Sequence, residues 1–357
     1  MRHSLRQKLG AALLDWPGYE WNLRGARAPV GRRGHWTRIR NRRDRIVTDL
    51  DGRGAACDGR WTSRLHVCDV FPSLGRRLQD RALAEWPPAF AAEPDPSGGG
   101  PAPEVSFVVG HRGLDRVPHL RRVLASIAGQ TGARVECVVV EQSAQPELAG
   151  RVPEWVSVVH TPAPTGMPYS RAWAFNVGAR AAGGALLAFH DNDMIVPARY
   201  AAELLAVRRL GYEVMNLKRF VFYLGERETA RVLDGEPIAG PPERVIQNLE
   251  GGGSVAIDRD AFFAIGGFDE SFVGWGGEDN EFWERAALRA VWPWGYLPLV
   301  HLYHAEQPEK RMSDRRTAAL LEERSRIAPE ERVGELRARA FGRPQGPDPA
   351  YAPPGTP

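Results

Sequence analysis

The feature that most constrains this chain is an alternation that begins at residue 105. Short apolar, β-branched runs, VSFVVG (105–110), VECVVVEQ (135–142), WVSVVH (155–160) and ALLAFHDND (185–193), are interleaved with helix-like segments, VPHLRRVLASIAGQ (117–130) and RAWAFNVGARAA (171–182). Such alternation predicts an α/β domain with a mostly parallel central sheet flanked by helices. In open sheets of that type the chemistry gathers beyond the carboxyl ends of the strands. The residues that follow each apolar run are therefore the first place to look for a site.

Upstream of this domain, residues 1–95 read as a small accessory module. HWTRIRNRRDRIVTDLDGRG (35–54) suggests short alternating strands broken at Asp51–Gly52, and Leu74–Trp86 carries apolar positions at helical spacing. The stretch PPAFAAEPDPSGGGPAP (87–103) has the composition of a linker or exposed loop, and the linker proper is placed at 96–103. The α/β domain then spans 104–340, and the Pro/Gly-rich 341–357 is expected to be a disordered tail.

Composition removes several function classes. No run of roughly 18 apolar residues occurs, so no transmembrane segment is expected, and the first residues lack a signal-peptide core. Forty-seven basic residues against 44 acidic ones leave a net charge of +3. The basic residues are nearly all arginine, with lysine only at Lys8, Lys218 and Lys310, which reads as codon bias, so no nucleic-acid partner is expected. Three cysteines cannot build a disulfide framework, so a reducing, cytoplasmic setting is expected.

Three acidic or histidine clusters can carry chemistry. His190-Asp191-Asn192-Asp193 closes the fourth strand. If a turn brings both carboxylates to one ligand, they suit Mg²⁺ or Mn²⁺ holding a diphosphate; a solvated strand-end turn is the plainer alternative. GGFDESFVGWGGEDNEFWE (266–284) surrounds Trp275 with Gly274, Gly276 and Gly277, followed by Glu278, Asp279, Asn280 and Glu281. Glycines let such a loop turn tightly and bring an indole face and carboxylates into one cleft, as sugars require. One carboxylate there can serve as a general base, although Glu278 and Asp279 also complement the dipole of a helix through 281–290. His301-x-x-His304 follows the strand-like LPLV (297–300), and its imidazoles converge if the segment turns helically. Cys57, His66 and Cys68 lack a fourth ligand at a recognisable spacing, which disfavours zinc.

In this order, a strand-end D-x-D, then GGF…GWGGED, then H-x-x-H, the sequence resembles the GT-A glycosyltransferases, and within them the β-1,4-galactosyltransferase-like (family 2 / family 7 C-terminal-type) branch. The resemblance runs from about Val105 to about Arg311. VVGHRGLDRVPHL (108–120) is similar to the family's first strand and uridine-binding loop, and MPYSRAWAFNVGARAA (167–182) keeps Arg171, Asn176 and Gly178 of another family segment. GGGSVAIDRDAFFAIGGFDESFVGWGGEDNEFWERA (251–286) is the longest match.

The resemblance implies a GT-A, Rossmann-like fold and a metal-dependent, inverting transfer of a hexose or N-acetylhexosamine from a UDP-sugar. It implies that Asp193, His301 and His304 hold Mn²⁺ (or Mg²⁺), and that Asp279 is the general base with Glu278 beside it. His111, Arg112, Asp115, Arg171, Asp191, Asn192, Trp275 and Gly276 would face the donor. Trp275, Glu278, Asp279 and Asn280 would face a saccharide or small hydroxylated natural product. Glu250 and Asn280 depart from the family pattern, so the donor sugar and acceptor contacts stay open. A bacterial, cytoplasmic enzyme is the resulting expectation, with a homodimer compatible with it. The alternatives are a polysaccharide-building transferase and a catalytically silent carbohydrate-binding protein of the same fold.

Overall fold

The computed structural model describes residues 4–25, 35–41, 44–47, 52, 54–58, 67–95, 102–163, 166–248, 251–305 and 310–346. In chain order the strands are β1 (Arg45–Ile46), β2 (Cys57–Asp58), β3 (Val105–His111), β4 (Val135–Ser143), β5 (Ser157–Pro162), β6 (Leu186–His190), β7 (Met194–Ile195), β8 (Val214–Met215), β9 (Lys218–Tyr223), β10 (Arg244–Gln247), β11 (Ser254–Asp258), β12 (Val291–Trp292) and β13 (Leu297–His301). The helices are α1 (Leu5–Gly10), α2 (Trp16–Arg24), α3 (Val67–Val70), α4 (Pro72–Glu85), α5 (Val117–Ala128), α6 (Arg171–Ala181), α7 (Tyr200–Arg209), α8 (Glu226–Leu233), α9 (Arg259–Ala264), α10 (Glu278–Ala286), α11 (Lys310–Arg324) and α12 (Pro329–Arg337). Among the described residues, no helix is long and apolar enough to cross a membrane.

The four apolar runs form the parallel heart of a seven-stranded sheet, ordered β12-β8-β11-β6-β3-β4-β5. β3 pairs in parallel with β4 and β6, and β4 with β5. β11 enters antiparallel between β6 and β8, so the sheet is mostly parallel. Both faces are covered. Leu120, Val123, Leu124 and Ile127 of α5 recur at helical spacing and are fully buried on one face, roughly 2 kcal/mol of burial each. On the other face α6 lies unusually close: a Cβ on Gly178 would stand 2.3 Å from Val108 Cγ1. That glycine is a packing requirement of the helix–sheet contact.

A second sheet, β10-β9-β13-β7, sits beside the first. Its apolar side chains Ile195, Phe220, Phe222, Val245 and Val300 share one buried cluster with Tyr19, Trp36, Ile39, Val67, Leu74, Leu78 and Ala82 of the 1–95 region. The N-terminal residues thus cover a sheet face. One polar tie is Arg219 on β9, wholly buried, which donates to the carbonyls of Thr37 and Ile39 and, at 2.7 Å, to Asn248 Oδ1.

Several expectations need correction. Among the described residues of 35–54 the regular structure is a 3₁₀ turn (Trp36–Arg38) and the two-residue β1, which pairs with β2 at Cys57–Asp58; Asp51 lies outside the described residues. The start of the expected tail is held in place. Phe341 is buried, its carbonyl accepts from Arg180 Nε at 2.5 Å, and Gly342 N–H donates to Glu270 at 2.7 Å. The remainder from 347 onward lies outside the described residues. The segment His301–His304 leaves β13 as irregular chain, with no helical turn.

Candidate active site

The site forms where β3, β4 and β6 end, as open α/β sheets favour. β6 stops at His190, and Asp191–Asp193 make a turn closed by a Met194 N–H to Asp191 carbonyl bond of 3.3 Å. The two carboxylates meet different protein partners. Asp191 faces Arg171, whose Nη2 lies 2.7 Å from its Oδ1. Asp193 is buried and faces a second chain segment.

That segment supplies the two histidines. Asp193 Oδ1 lies 3.6 Å from His301 Nε2, and Oδ2 lies 3.4 Å from His304 Nε2. One ligand atom from each of the three residues falls within 4.8 Å of the others. Convergence needs no helical turn, because β13 pairs antiparallel with β7 and sets His301 opposite Met194. The His301 ring stacks on Tyr223 at 4.2 Å. His304 Nδ1 lies 2.9 Å from the Ala305 carbonyl, which fixes that nitrogen as the donor and leaves Nε2 as a lone pair. His119 Nε2 holds the Tyr303 carbonyl at 2.8 Å and so pins the chain between the two histidines.

The residues fit a divalent cation. Asp193 Oδ1 is buried with no hydrogen-bond partner, a costly state that a cation would relieve. A donor set of two imidazoles and one carboxylate suits Mn²⁺ better than Mg²⁺, which prefers all-oxygen ligation. Burial pushes the Asp193 carboxyl up, but His301, Arg116 and His304 outweigh it and hold it below its ordinary range.

Arg171 links this edge to the acidic turn. It begins α6 behind the capping hydroxyl of Ser170, and its Nη1 reaches Glu278 Oε1 at 3.2 Å. Asp191 and Glu278 keep it protonated against the cost of burial. Glu278 and Asp279 open α10, preceded by Gly277 in the left-handed region at φ 93°. A Cβ there would meet the Phe272 ring at 2.8 Å, so the entry to the helix requires glycine. The helix-start reading of this segment therefore holds. Glu278 is buried, and its pKa rises to about 7, through burial first and the neighbouring Asp279 charge second, with Arg171 opposing. Asp279 is more open and accepts the Asn280 N–H at 2.9 Å. Trp275 is 52% exposed, its carbonyl held by Thr317 Oγ1 at 2.7 Å, and Asn280 is exposed. Gly276 sits at φ 94° between Trp275 and Gly277, half-buried.

The β3 end behaves differently. His111 is buried between the Gly113 carbonyl (2.9 Å) and Asn192 Nδ2 (3.1 Å), and burial lowers its pKa to about 4. Arg112 spends its guanidinium on the chain itself, on the carbonyls of Gln142 and Met167 at 2.8 Å and on Gln142 Oε1 at 3.0 Å. It braces the strand ends. Asp115 is exposed on the 3₁₀ turn Leu114–Arg116. Asn176, retained in the sequence pattern, is a buried clamp whose amide group bonds Phe268 N–H, Phe268 carbonyl and Glu270.

Three residues escaped sequence reasoning. Arg116 pairs with Asp193 at 2.6 Å, one arginine hidden among many. Lys218 is buried, donates to the Ser254 carbonyl, and burial brings its pKa to about 7 against the opposing charge of Asp191; its one signal was the scarcity of lysine. Tyr200, bonded to Ser254 Oγ at 2.8 Å, left none. The zinc alternative gains nothing: Cys57 and Cys68 are free, and His66 lies outside the described residues.

Residues 246–293 match a family model described as the N-terminal domain of galactosyltransferase. That span holds β11, α9, the GGF and GWGG turns, the whole of α10 and β12. No match was found among curated proteins. Among solved structures, the chain is similar to glucosyl-3-phosphoglycerate synthase from Mycobacterium tuberculosis in complex with Mn²⁺, UDP and phosphoglyceric acid. That match has 19% identity, 63% of this chain and 79% of that chain covered, and a TM-score of 0.42. The same enzyme with Mn²⁺, UDP and glucosyl-3-phosphoglycerate gives 19% identity, 63% and 81% coverage and a TM-score of 0.41.

Proposed function

We propose that this chain is a metal-dependent glycosyltransferase that moves a hexose or N-acetylhexosamine from a UDP-sugar to a hydroxyl of a saccharide or small natural product, with inversion. The carrying observation is the convergence of Asp193, His301 and His304 from two separate parts of the chain. The galactosyltransferase-type match over 246–293 supports it, because that span supplies the acidic turn joined to the D-x-D edge through Arg171.

Asp193, His301 and His304 would hold Mn²⁺, which supplies charge neutralisation to a departing diphosphate. The chain's own residues do the rest. Asp279, open to the cleft, accepts the proton of the acceptor hydroxyl as that oxygen attacks the anomeric carbon opposite the leaving group. Single in-line displacement converts an α-linked donor into a β-linked product. Glu278, tied to Arg171, orients rather than deprotonates. Arg171, paired with both Asp191 and Glu278, holds those carboxylates in place to accept hydrogen bonds from donor hydroxyls. Trp275, exposed on a glycine-flanked turn, offers a stacking face to a sugar and can close over it to limit hydrolysis. Galactose, glucose and their N-acetyl forms are all open as donors.

The test is UDP release from a panel of UDP-sugars, with and without Mn²⁺ or Mg²⁺, for the wild type and Asp279→Asn. Metal-dependent turnover of one donor, lost in the variant, is the expected result. Absence of metal-dependent donor binding or hydrolysis with every UDP-sugar would overturn the reading in favour of a silent carbohydrate-binding protein.

A further inference from the structure

Arg116 stands where a metal site should have no cation. Its Nη2 donates to Asp193 Oδ2 at 2.6 Å and to Asn192 Oδ1 at 3.0 Å, and the residue is buried. The grip is end-on. One nitrogen meets one carboxylate oxygen, and the other oxygen, Oδ1, keeps no hydrogen bond and points toward His301 Nε2 at 3.6 Å. The guanidinium therefore fixes the carboxylate rotamer while leaving one oxygen for a ligand.

The charge balance gives this a consequence. Histidines ligate as neutral imidazoles, so Asp193 is the one anion of the triad, and Arg116 cancels it at contact distance. A bare divalent cation meets three ligand atoms but no net negative charge. Asn192, pinned between Arg116 and His111, holds the guanidinium in place. A diphosphate reverses the balance, because its negative charge compensates the cation and the guanidinium together.

We propose that Arg116 makes the cation site nucleotide-dependent: Mn²⁺ binds weakly alone and strongly only with a nucleoside diphosphate, because Arg116 neutralises Asp193 until the phosphates arrive. Arg116 is a positioning residue here. The inference rests on the metal-dependent reading of the site and goes beyond it by assigning the order of loading.

The experiment is a Mn²⁺ titration followed by electron paramagnetic resonance of the free ion, on the full chain, with and without UDP. It compares the wild type, Arg116→Met, Arg116→Lys and His304→Ala, with circular dichroism as the check on folding. In the wild type UDP tightens Mn²⁺ binding at least tenfold. Arg116→Met raises the affinity for Mn²⁺ alone by about ten- to a hundredfold, the effect of removing one nearby charge at intermediate dielectric, and shrinks the UDP enhancement. Arg116→Lys, which keeps the charge, stays near the wild type and so separates charge from packing. Equal Mn²⁺ affinity in the wild type and Arg116→Met, with binding lost in His304→Ala, overturns this inference and leaves the metal site standing. Mn²⁺ binding absent in every protein, with UDP present, overturns the metal site itself.

Discussion

Glu278 is a carboxylic acid held where its charged form is unwelcome, and replacing it with glutamine tests that directly. Glutamine keeps the shape and a carbonyl oxygen for Arg171 Nη1, which meets Glu278 Oε1 at 3.2 Å, while Arg171 retains Asp191. Burial and Asp279 raise the Glu278 pKa from 4.5 to about 7. An acid whose folded pKa exceeds its unfolded pKa binds its proton more tightly when folded, so it stabilises the fold at low pH. That stability drains away as pH rises from the unfolded value through the folded one. At about 1.4 kcal/mol per tenfold in proton affinity, the rise amounts to about 3 kcal/mol, most of it lost between pH 5 and 8. Glutamine does not titrate. Urea denaturation of the wild type and Glu278→Gln at pH 5, 6, 7 and 8 reads the difference: relative to the wild type, the variant gains about 2 to 3 kcal/mol across the series. A stability difference that is flat with pH, or that moves the other way, would show that Glu278 is ionised and well compensated, and the burial argument for this site would be wrong.

Asp279→Asn is expected to lower kcat by about 10²- to 10⁴-fold with little change in donor KM, since a general base acts in the transition state; a larger loss in Glu278→Gln would exchange the two roles. Glu281→Gln should cost about 3 to 5 kcal/mol in chemical denaturation, because Arg285 and Arg332, both buried, then share no anion at Glu281. Gly277→Ala should cost about 2 kcal/mol or more through the left-handed φ and the contact with Phe272. It should also depress activity by displacing Glu278 and Asp279, read as a paired loss in thermal midpoint and turnover.

The parallel heart of the fold was legible because β3, β4 and β6 are almost wholly buried, and burial on both faces writes an uninterrupted apolar run. The second sheet was not, because β7 is only two residues long and β13 finds β9 and β7 from far away in sequence. No local period records such pairings. The same division runs through the site. Asp193, His301 and His304 were grouped in the sequence only through the family resemblance, since a strand-end D-x-D and a lone H-x-x-H each carry little weight alone. Their geometry could not be read there, because the antiparallel β13–β7 pairing creates it, and the expected helical turn is absent. Arg116 was invisible for a statistical reason: in a chain this rich in arginine, one more carries no information until a buried carboxylate is found 2.6 Å away. Arg112, four residues earlier and equally plausible by pattern, braces main-chain carbonyls instead. Residue type near a strand end thus indicates that a site exists, but the division of labour among its arginines is fixed by which of them the tertiary fold sets against an anion.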